Sequence, residues 1–406
     1  MRLLILAVLC FVHSTITAQI INTETGTKTT SAKKESKKWY EFIDIGGYVQ
    51  VRYNRLLETN PNLKCDQCDK SIGENGGFII RRGRIKISGN LTNNIYFYIQ
   101  PDFASSVGSS GNVMQLRDAF FDIGFDKKNE YRLRIGQSKI PFGFENLQSS
   151  QNRLPLDRDD AINSAFSNER DLGAFFYWAP KAKRELLSSL VKDNFKGSGD
   201  YGVFGFGVFN GQTANKSDLN NSLHTVARFS YPLKIKSQVI EPGLQAYMGK
   251  YVLPTDLRTT GVKAANGFEF DEKRIATSLI VYPKPFGIQA EYNWGKGPQY
   301  NPAMDSIETK NLSGGYVTLS YKKTLKNGMV LFPFTRFQQY KGGKKHEQDA
   351  RSYDMKEIES GIEWHLHKYF ELTVSYVVSE RRFEDGKQKN NLQKGNFLRL
   401  QGQINF

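Results

Sequence analysis

GFIIRRGRIKISG runs from Gly77 to Gly89, IYFYIQ from Ile95 to Gln100, DAFFDIGF from Asp118 to Phe125, and RLRI from Arg132 to Ile135. Taken at every second residue, the four segments share one pattern. Ile79, Ile85 and Ile87 fall on one parity, and Arg82, Arg84, Lys86 and Ser88 on the other. Ile95, Phe97 and Ile99 alternate with Tyr96, Tyr98 and Gln100. Ala119, Phe121 and Ile123 oppose Asp118 and Asp122, and Leu133 and Ile135 oppose Arg132 and Arg134. A period of two is the signature of a β-strand, whose successive side chains point to opposite faces. The charged face, repeatedly arginine in mid-strand, sets two architectures against each other. A soluble sandwich turns its polar face to water. A membrane barrel turns its apolar face to lipid and its charges to a wet interior.

Length and termini favour the barrel. The chain has 406 residues and a formal net charge of +15, with 28 phenylalanines, 20 tyrosines and 3 cysteines. Such a length suggests two or more soluble domains or one large barrel. Met1-Arg2, the apolar run Leu3–Val12 and the small residue Ala18 before Gln19 read as a secretory signal peptide over 1–18. That run is too short to span a bilayer as a helix. No later stretch offers a membrane helix, so any span must be built from strands. Residues 19–39 read as a flexible basic segment, and 40–406 as one domain.

Along that domain about sixteen strand candidates follow, from Phe42–Asn54 to Asn396–Phe406. Even numbers suit bacterial barrels, as does the alternation of long loops with short turns. The link Ala179–Asp200 breaks the alternation, and Arg184–Asn194 suggests a small helix inside it. In the last strand Leu398, Leu400, Ile404 and Phe406 share one parity, and Arg399, Gln401 and Gln403 the other. An alternating strand that ends on an aromatic carboxy terminus is what barrel-assembly machinery reads. Tyr40, Tyr53, Trp178, Tyr231, Tyr282, Trp294, Tyr321 and Tyr369 lie near strand ends, where interface aromatics belong.

The chemistry points to a lined channel. Arg52, Arg82, Arg84, Lys86, Arg132, Arg134, Arg228, Arg336 and Arg399 take the polar parity of their strands. Guanidinium groups gathered on one sector of a lumen would favour phosphate or carboxylate. The alternative is pairing with acids such as Asp102, Asp118, Asp122, Glu291, Glu359 and Glu363. The longest loop, Ser138–Glu169, mixes Lys139, Arg153 and Arg158 with Asp157, Asp159 and Asp160. Folded inward, it would set the pore size. Cys65 and Cys68 form Cys-x-x-Cys without a second pair or a nearby histidine, which favours a local disulfide over zinc. His365 and His367 share a face but no third ligand is evident, so neither a metal nor a cofactor is expected. Asp118/Asp122 and Glu359/Glu363 are ordinary same-face pairs in a solvated lumen rather than evidence of catalysis, and no nucleophile motif is present. The basic residues form no aromatic-interleaved patch, which argues against nucleic acid. They can instead meet anionic lipopolysaccharide.

Arg81-Arg82-Gly83-Arg84-Ile85, Leu116-Arg117-Asp118-Ala119-Phe120 and Leu133-Arg134-Ile135-Gly136-Gln137, running on to Pro141-Phe142-Gly143, come in order. Glu169-Arg170-Asp171-Leu172-Gly173, Gly207-Val208-Phe209-Asn210-Gly211 and Leu398-Arg399-Leu400-Gln401 follow. Together these pieces resemble the phosphate-selective porin O and P family in its Bacteroidetes form. The resemblance implies a sixteen-stranded barrel in the Gram-negative outer membrane. It further implies a homotrimer that passes small solutes, often anions, past an inward third loop and wall arginines. Arg82, Arg84, Arg132, Arg134 and Lys139 are the positions that fit such a constriction. The acidic loop residues do not suit phosphate in particular. The rival expectations are a loop-plugged barrel with an adhesive or structural role, a rim enzyme, and a secreted sandwich.

Overall fold

The computed structural model describes residues 39–64, 76–107 and 110–406. The leader and nearly all of the basic segment lie outside these residues, as do Cys65 and Cys68. Sixteen strands form the wall. They begin with β1 (Ile43–Leu56), β2 (Gly77–Asn90), β3 (Ile95–Val107), β4 (Ser110–Gly124) and β5 (Tyr131–Lys139). After the long inner segment come β6 (Arg170–Trp178), β7 (Phe204–Phe209), β8 (His224–Ser230), β9 (Gln238–Val252) and β10 (Glu269–Val281). The ring continues with β11 (Phe286–Asn301), β12 (Ser306–Tyr321) and β13 (Val330–Gly343). It finishes with β14 (Ser352–His367), β15 (Phe370–Glu384) and β16 (Asn391–Asn405).

Each strand runs antiparallel to its neighbour in the chain, and β1 also pairs with β16, Val49 opposite Ile404 and Arg52 opposite Gln401. The ring is therefore closed and has no free edge. Gly47 and Phe406 close the seam by exchanging backbone bonds of 2.8 and 3.0 Å. A Cβ on Gly47 would lie 2.3 Å from the Arg84 carbonyl oxygen and 2.7 Å from the Phe406 ring, so the close approach requires glycine.

The alternation resolves in favour of lipid outside. Val49 and Val51 are 38% and 41% exposed, while Tyr48, Gln50 and Arg52 between and beside them are buried. Across the ring Ile358 and Ile362 point out, and Glu357, Glu359 and Glu363 point in. On the last strand Ile404 and Phe406 face out, and Arg399, Gln401 and Gln403 face in. Tyr282 departs from the expected interface belt. It is buried inside, where its hydroxyl donates to Glu241 at 2.5 Å, because Glu241 on β9 faces the lumen.

The interior is not simply a wet bore. Residues 140–169 fold into the barrel, and Ile140, Phe142, Ile162 and Phe166 bury against inward Phe175, Phe209, Val226, Tyr247 and Tyr316. Phe142 meets Tyr247 edge-on at 4.9 Å. Leu154 packs on Phe332 and Phe334, and Ala161 on Tyr340 and Met355. The inner loop thus occupies the lumen along β6–β14. From the other end, the link between β6 and β7 carries the expected helix, here Lys181–Lys192, and Leu190 packs with Phe144, Val239 and Tyr282. Gln148 of the inner loop donates to the Lys196 carbonyl of that link at 2.7 Å.

Candidate functional site

Among the places where strict alternation fails, two build the site. On β2, Gln50 faces Arg82 but Val51 faces Ile80, so Arg81 is an extra residue. On β4, Gln100 faces Asp118 but Pro101 faces Leu116, so Arg117 is an extra residue. Each is a β-bulge, which flips the parity beyond it and re-aims a side chain. Phe78 and Ile80 accordingly point to lipid, at 78% and 45% exposure, which moves Ile79 off the lipid-facing parity that simple alternation gives it. Adjacent residues Arg81 and Arg82 both reach the lumen, as do Arg117 and Asp118.

The result is an arginine cage between the β2–β4 wall and the inner loop. Arg81, Arg82, Arg84, Arg117 and Arg158 line a cavity of about 60 Å³ with Asn163, Ser167, Asn168 and Glu169. Asp102, beneath it, pairs with Arg84 at 2.7 Å and Arg117 at 3.4 Å. Arg158 pairs with Glu169 at 2.5 Å, and Arg170 joins Glu169 and Asp118 at 2.9 and 2.8 Å. Arg82 stands apart. Its Nη1 donates to the Gln50 side-chain oxygen at 2.8 Å, and no carboxylate meets it among the described residues. Its Nε, and Nε and Nη2 of Arg158, are buried donors without an acceptor. Buried guanidinium donors of this kind call for an anion or water.

A second cavity of about 660 Å³ continues along the same wall. Lys86, Arg134, Lys139 and Arg170 line it, with Asp118, Tyr98 and inner-loop Ser149 and Gln151. Arg134 is held bidentately by Asp122 at 2.7 and 2.9 Å, under the Phe120 ring at 3.8 Å. Lys139 donates to the carbonyls of Leu147 and Gln148 at 2.9 and 2.8 Å, which ties down the inner loop. Arg132 pairs with Asp200 of the link at 2.9 Å and lines neither cavity. The expected cluster of Arg82, Arg84, Arg132 and Arg134 is therefore split between two levels. Arg81, Arg117 and Arg158 are the members that alternation misses. The Arg-Arg and Arg-Asp doublets inside alternating strands are the signal that could have found the first two.

On the opposite wall the guanidinium groups are neutralised. Arg336 pairs with Glu145 and Glu359 at 3.3 and 3.2 Å. Arg399 pairs with Glu359 at 3.1 Å and with Asp157. Arg381 pairs with Glu357 and Asp160 at 2.8 and 2.9 Å. Glu291 accepts from the Phe144 and Glu145 amides, at 2.6 and 2.8 Å. Two inner-loop carboxyls diverge here. Burial alone would raise Asp157, but Arg52, Arg399 and Arg81 hold it well below the usual carboxylate range. Asp159 is pushed well above that range, first by burial and then by Glu145.

His365 and His367 do not come together. His365 instead sits between Glu363 (2.5 Å) and Glu371 (3.5 Å), while His367 is exposed. These two carboxylates and one imidazole could hold a metal ion. The cation already in contact with Glu363 is the ammonium group of Lys196.

The sequence matches the family model for phosphate-selective porin O and P over residues 62–406. Among solved structures, the outer-membrane channel DcaP of Acinetobacter baumannii is similar at 14% identity and a TM-score of 0.55, covering 90% of this chain and 97% of that one. OmpF of Salmonella typhi, in complex with daunomycin, is similar at 13% identity and a TM-score of 0.53, with coverage of 90% and 97%. No curated protein sequence matches. The chain belongs to the phosphate-selective porin O and P family, and it is a passive channel of the Gram-negative outer membrane.

Proposed function

We propose that this porin passes small hydrophilic anions, phosphate-like oxyanions among them, through the gap between the inner loop and the β1–β6 wall. The observation that carries the reading is the cage, where five arginines meet one lining glutamate and Arg82 has no acid partner among the described residues. Guanidinium groups stay charged and offer planar donors. Low-dielectric walls focus their field on anything that enters. Lys86, Arg134 and Lys139 would line the lower vestibule, with Arg134 and Lys139 spending most of their donors on the protein. No redox or acid–base step is needed for such passage, and no cofactor is invoked. The same reading makes the protein a homotrimer, delivered by barrel-assembly machinery through its terminal Phe406 after loss of residues 1–18.

Planar-bilayer recordings test this. Single-channel current should appear, and chloride and phosphate should outrun potassium. A lumen sealed by its two internal segments would give no current, and would favour the adhesive or structural reading. The Gln148–Lys196 tie between those segments is the observation on that side.

A further inference from the structure

Both rims of the barrel carry exposed lysines, and the short turns gather seven of them. On the long-loop rim, exposed Lys250, Lys341, Lys389 and Lys394 pair with Glu269, Asp354, Asp305 and Glu380, while Lys216, Lys263 and Lys387 meet no carboxylate within 4.0 Å among the described residues. On the short-turn rim, Lys127 and Lys128 follow β4, Lys234 and Lys236 follow β8, Lys323 and Lys326 follow β12, and Lys368 follows β14. All seven are exposed, and none has a carboxylate within 4.0 Å among the described residues. The Asp126 carboxylate, within the first of these turns, is spent on the backbone amides of Lys128 and Tyr131. The charges of these seven lysines are left unbalanced within the described residues.

Their surroundings indicate what would balance them. The Lys368 ammonium lies 4.5 Å from the Tyr369 ring, and Lys183 on the link helix lies 4.3 Å from the Tyr231 ring. Tyrosine at a barrel end marks the headgroup level of the bilayer. In Leu233–Ile235 the exposed apolar residues Leu233 and Ile235 alternate with Lys234, followed by Lys236, so one short strand presents grease and charge side by side. Lysine stems at such a boundary lie along apolar surface and extend their ammonium groups to the polar layer. We infer that the short-turn rim binds anionic phospholipid headgroups of the leaflet that borders it.

The test uses the full chain, purified and reconstituted in nanodiscs with equal phosphatidylglycerol and phosphatidylcholine, and measures the lipid retained on re-extraction. Wild type should retain phosphatidylglycerol about fivefold over phosphatidylcholine, the factor one lysine gives at an anionic surface. The preference should fade at high salt. Replacing Lys234, Lys236, Lys323, Lys326 and Lys368 with Gln should bring the ratio near one, while Lys→Arg at the same five should preserve it. Unchanged heat-modifiable gel mobility of both variants confirms that the barrel is folded. Equal retention by wild type and the Gln variant overturns the inference. So does lysine-dependent co-sedimentation with purified cell-wall sacculi without a phosphatidylglycerol preference, which would assign the rim to the wall polymer.

Discussion

Arg82 and Arg336 are both buried lumen arginines on alternating strands, yet they do opposite work. Arg336 touches two carboxylates and an inner-loop carbonyl, so its charge is consumed in holding that loop against the wall. Arg82 touches one neutral amide, so its charge is left for the lumen. At about 4 Å and an effective dielectric near 20, one opposite charge is worth roughly 4 kcal/mol, enough to cancel an arginine as seen by a passing ion. Counting lumen arginines therefore says little about selectivity. Which of them lack acids says more.

Glu359 serves both Arg336 and Arg399 on the far wall. Glu359→Gln should cost about 3 kcal/mol, since it removes one of the two carboxylates that hold each of two buried arginines. Guanidinium-chloride unfolding followed by fluorescence reads this, and a shift under about 1 kcal/mol would make the far wall no anchor. Acid should act on the same wall. Asp157, with its lowered pKa, contributes stability that is complete above the ordinary carboxylate value of about 4 and lost as pH falls through the lowered value. Asp157→Asn should be less stable at neutral pH but show a shallower acid limb. Asp159 has the opposite sign, because its cost grows as pH rises from the ordinary value towards the raised one. Asp159→Asn keeps an N-cap for Asp160–Asn163 and should be at least as stable at pH 7. A loss there would show that the carboxyl is needed charged.

The near wall predicts smaller stability effects and larger functional ones. Arg82→Gln should move the unfolding free energy by no more than about 1 kcal/mol, since it breaks no ion pair. It should still lower the chloride-over-potassium permeability ratio. Arg134→Gln, already neutralised by Asp122, should change that ratio less. Arg132→Gln should leave it unchanged and affect only the link held through Asp200. Equal effects from all three would erase the distinction between paired and unpaired arginines.

Much of this could be seen in the chain itself. Period two in Gly77–Gly89 and Leu398–Phe406 announces the lipid face because every strand must bury alternate residues in oil. The helix in the Ala179–Asp200 link also shows, because its length breaks the turn pattern. The cage does not show, because a bulge is one inserted residue in a register that only the paired strand reveals. Arg81 and Arg117 look outward by counting and point inward by pairing. The mixed charge of Ser138–Glu169 likewise hides a division of labour: Asp157 and Asp160 face arginines of the far wall, while Arg158 turns to the cage.

On the proposed reading, the excess of arginines over acids on the β2–β4 side, with Arg82 meeting no carboxylate among the described residues, sets the sign of the current. The reversal potential in a potassium chloride gradient, for wild type and for the variant with Arg81, Arg82, Arg84 and Arg117 all replaced by Gln, tests it most directly. The wild-type value should lie on the chloride side and the variant's should move to zero or to the potassium side. An unchanged reversal potential in a variant that still conducts would contradict it.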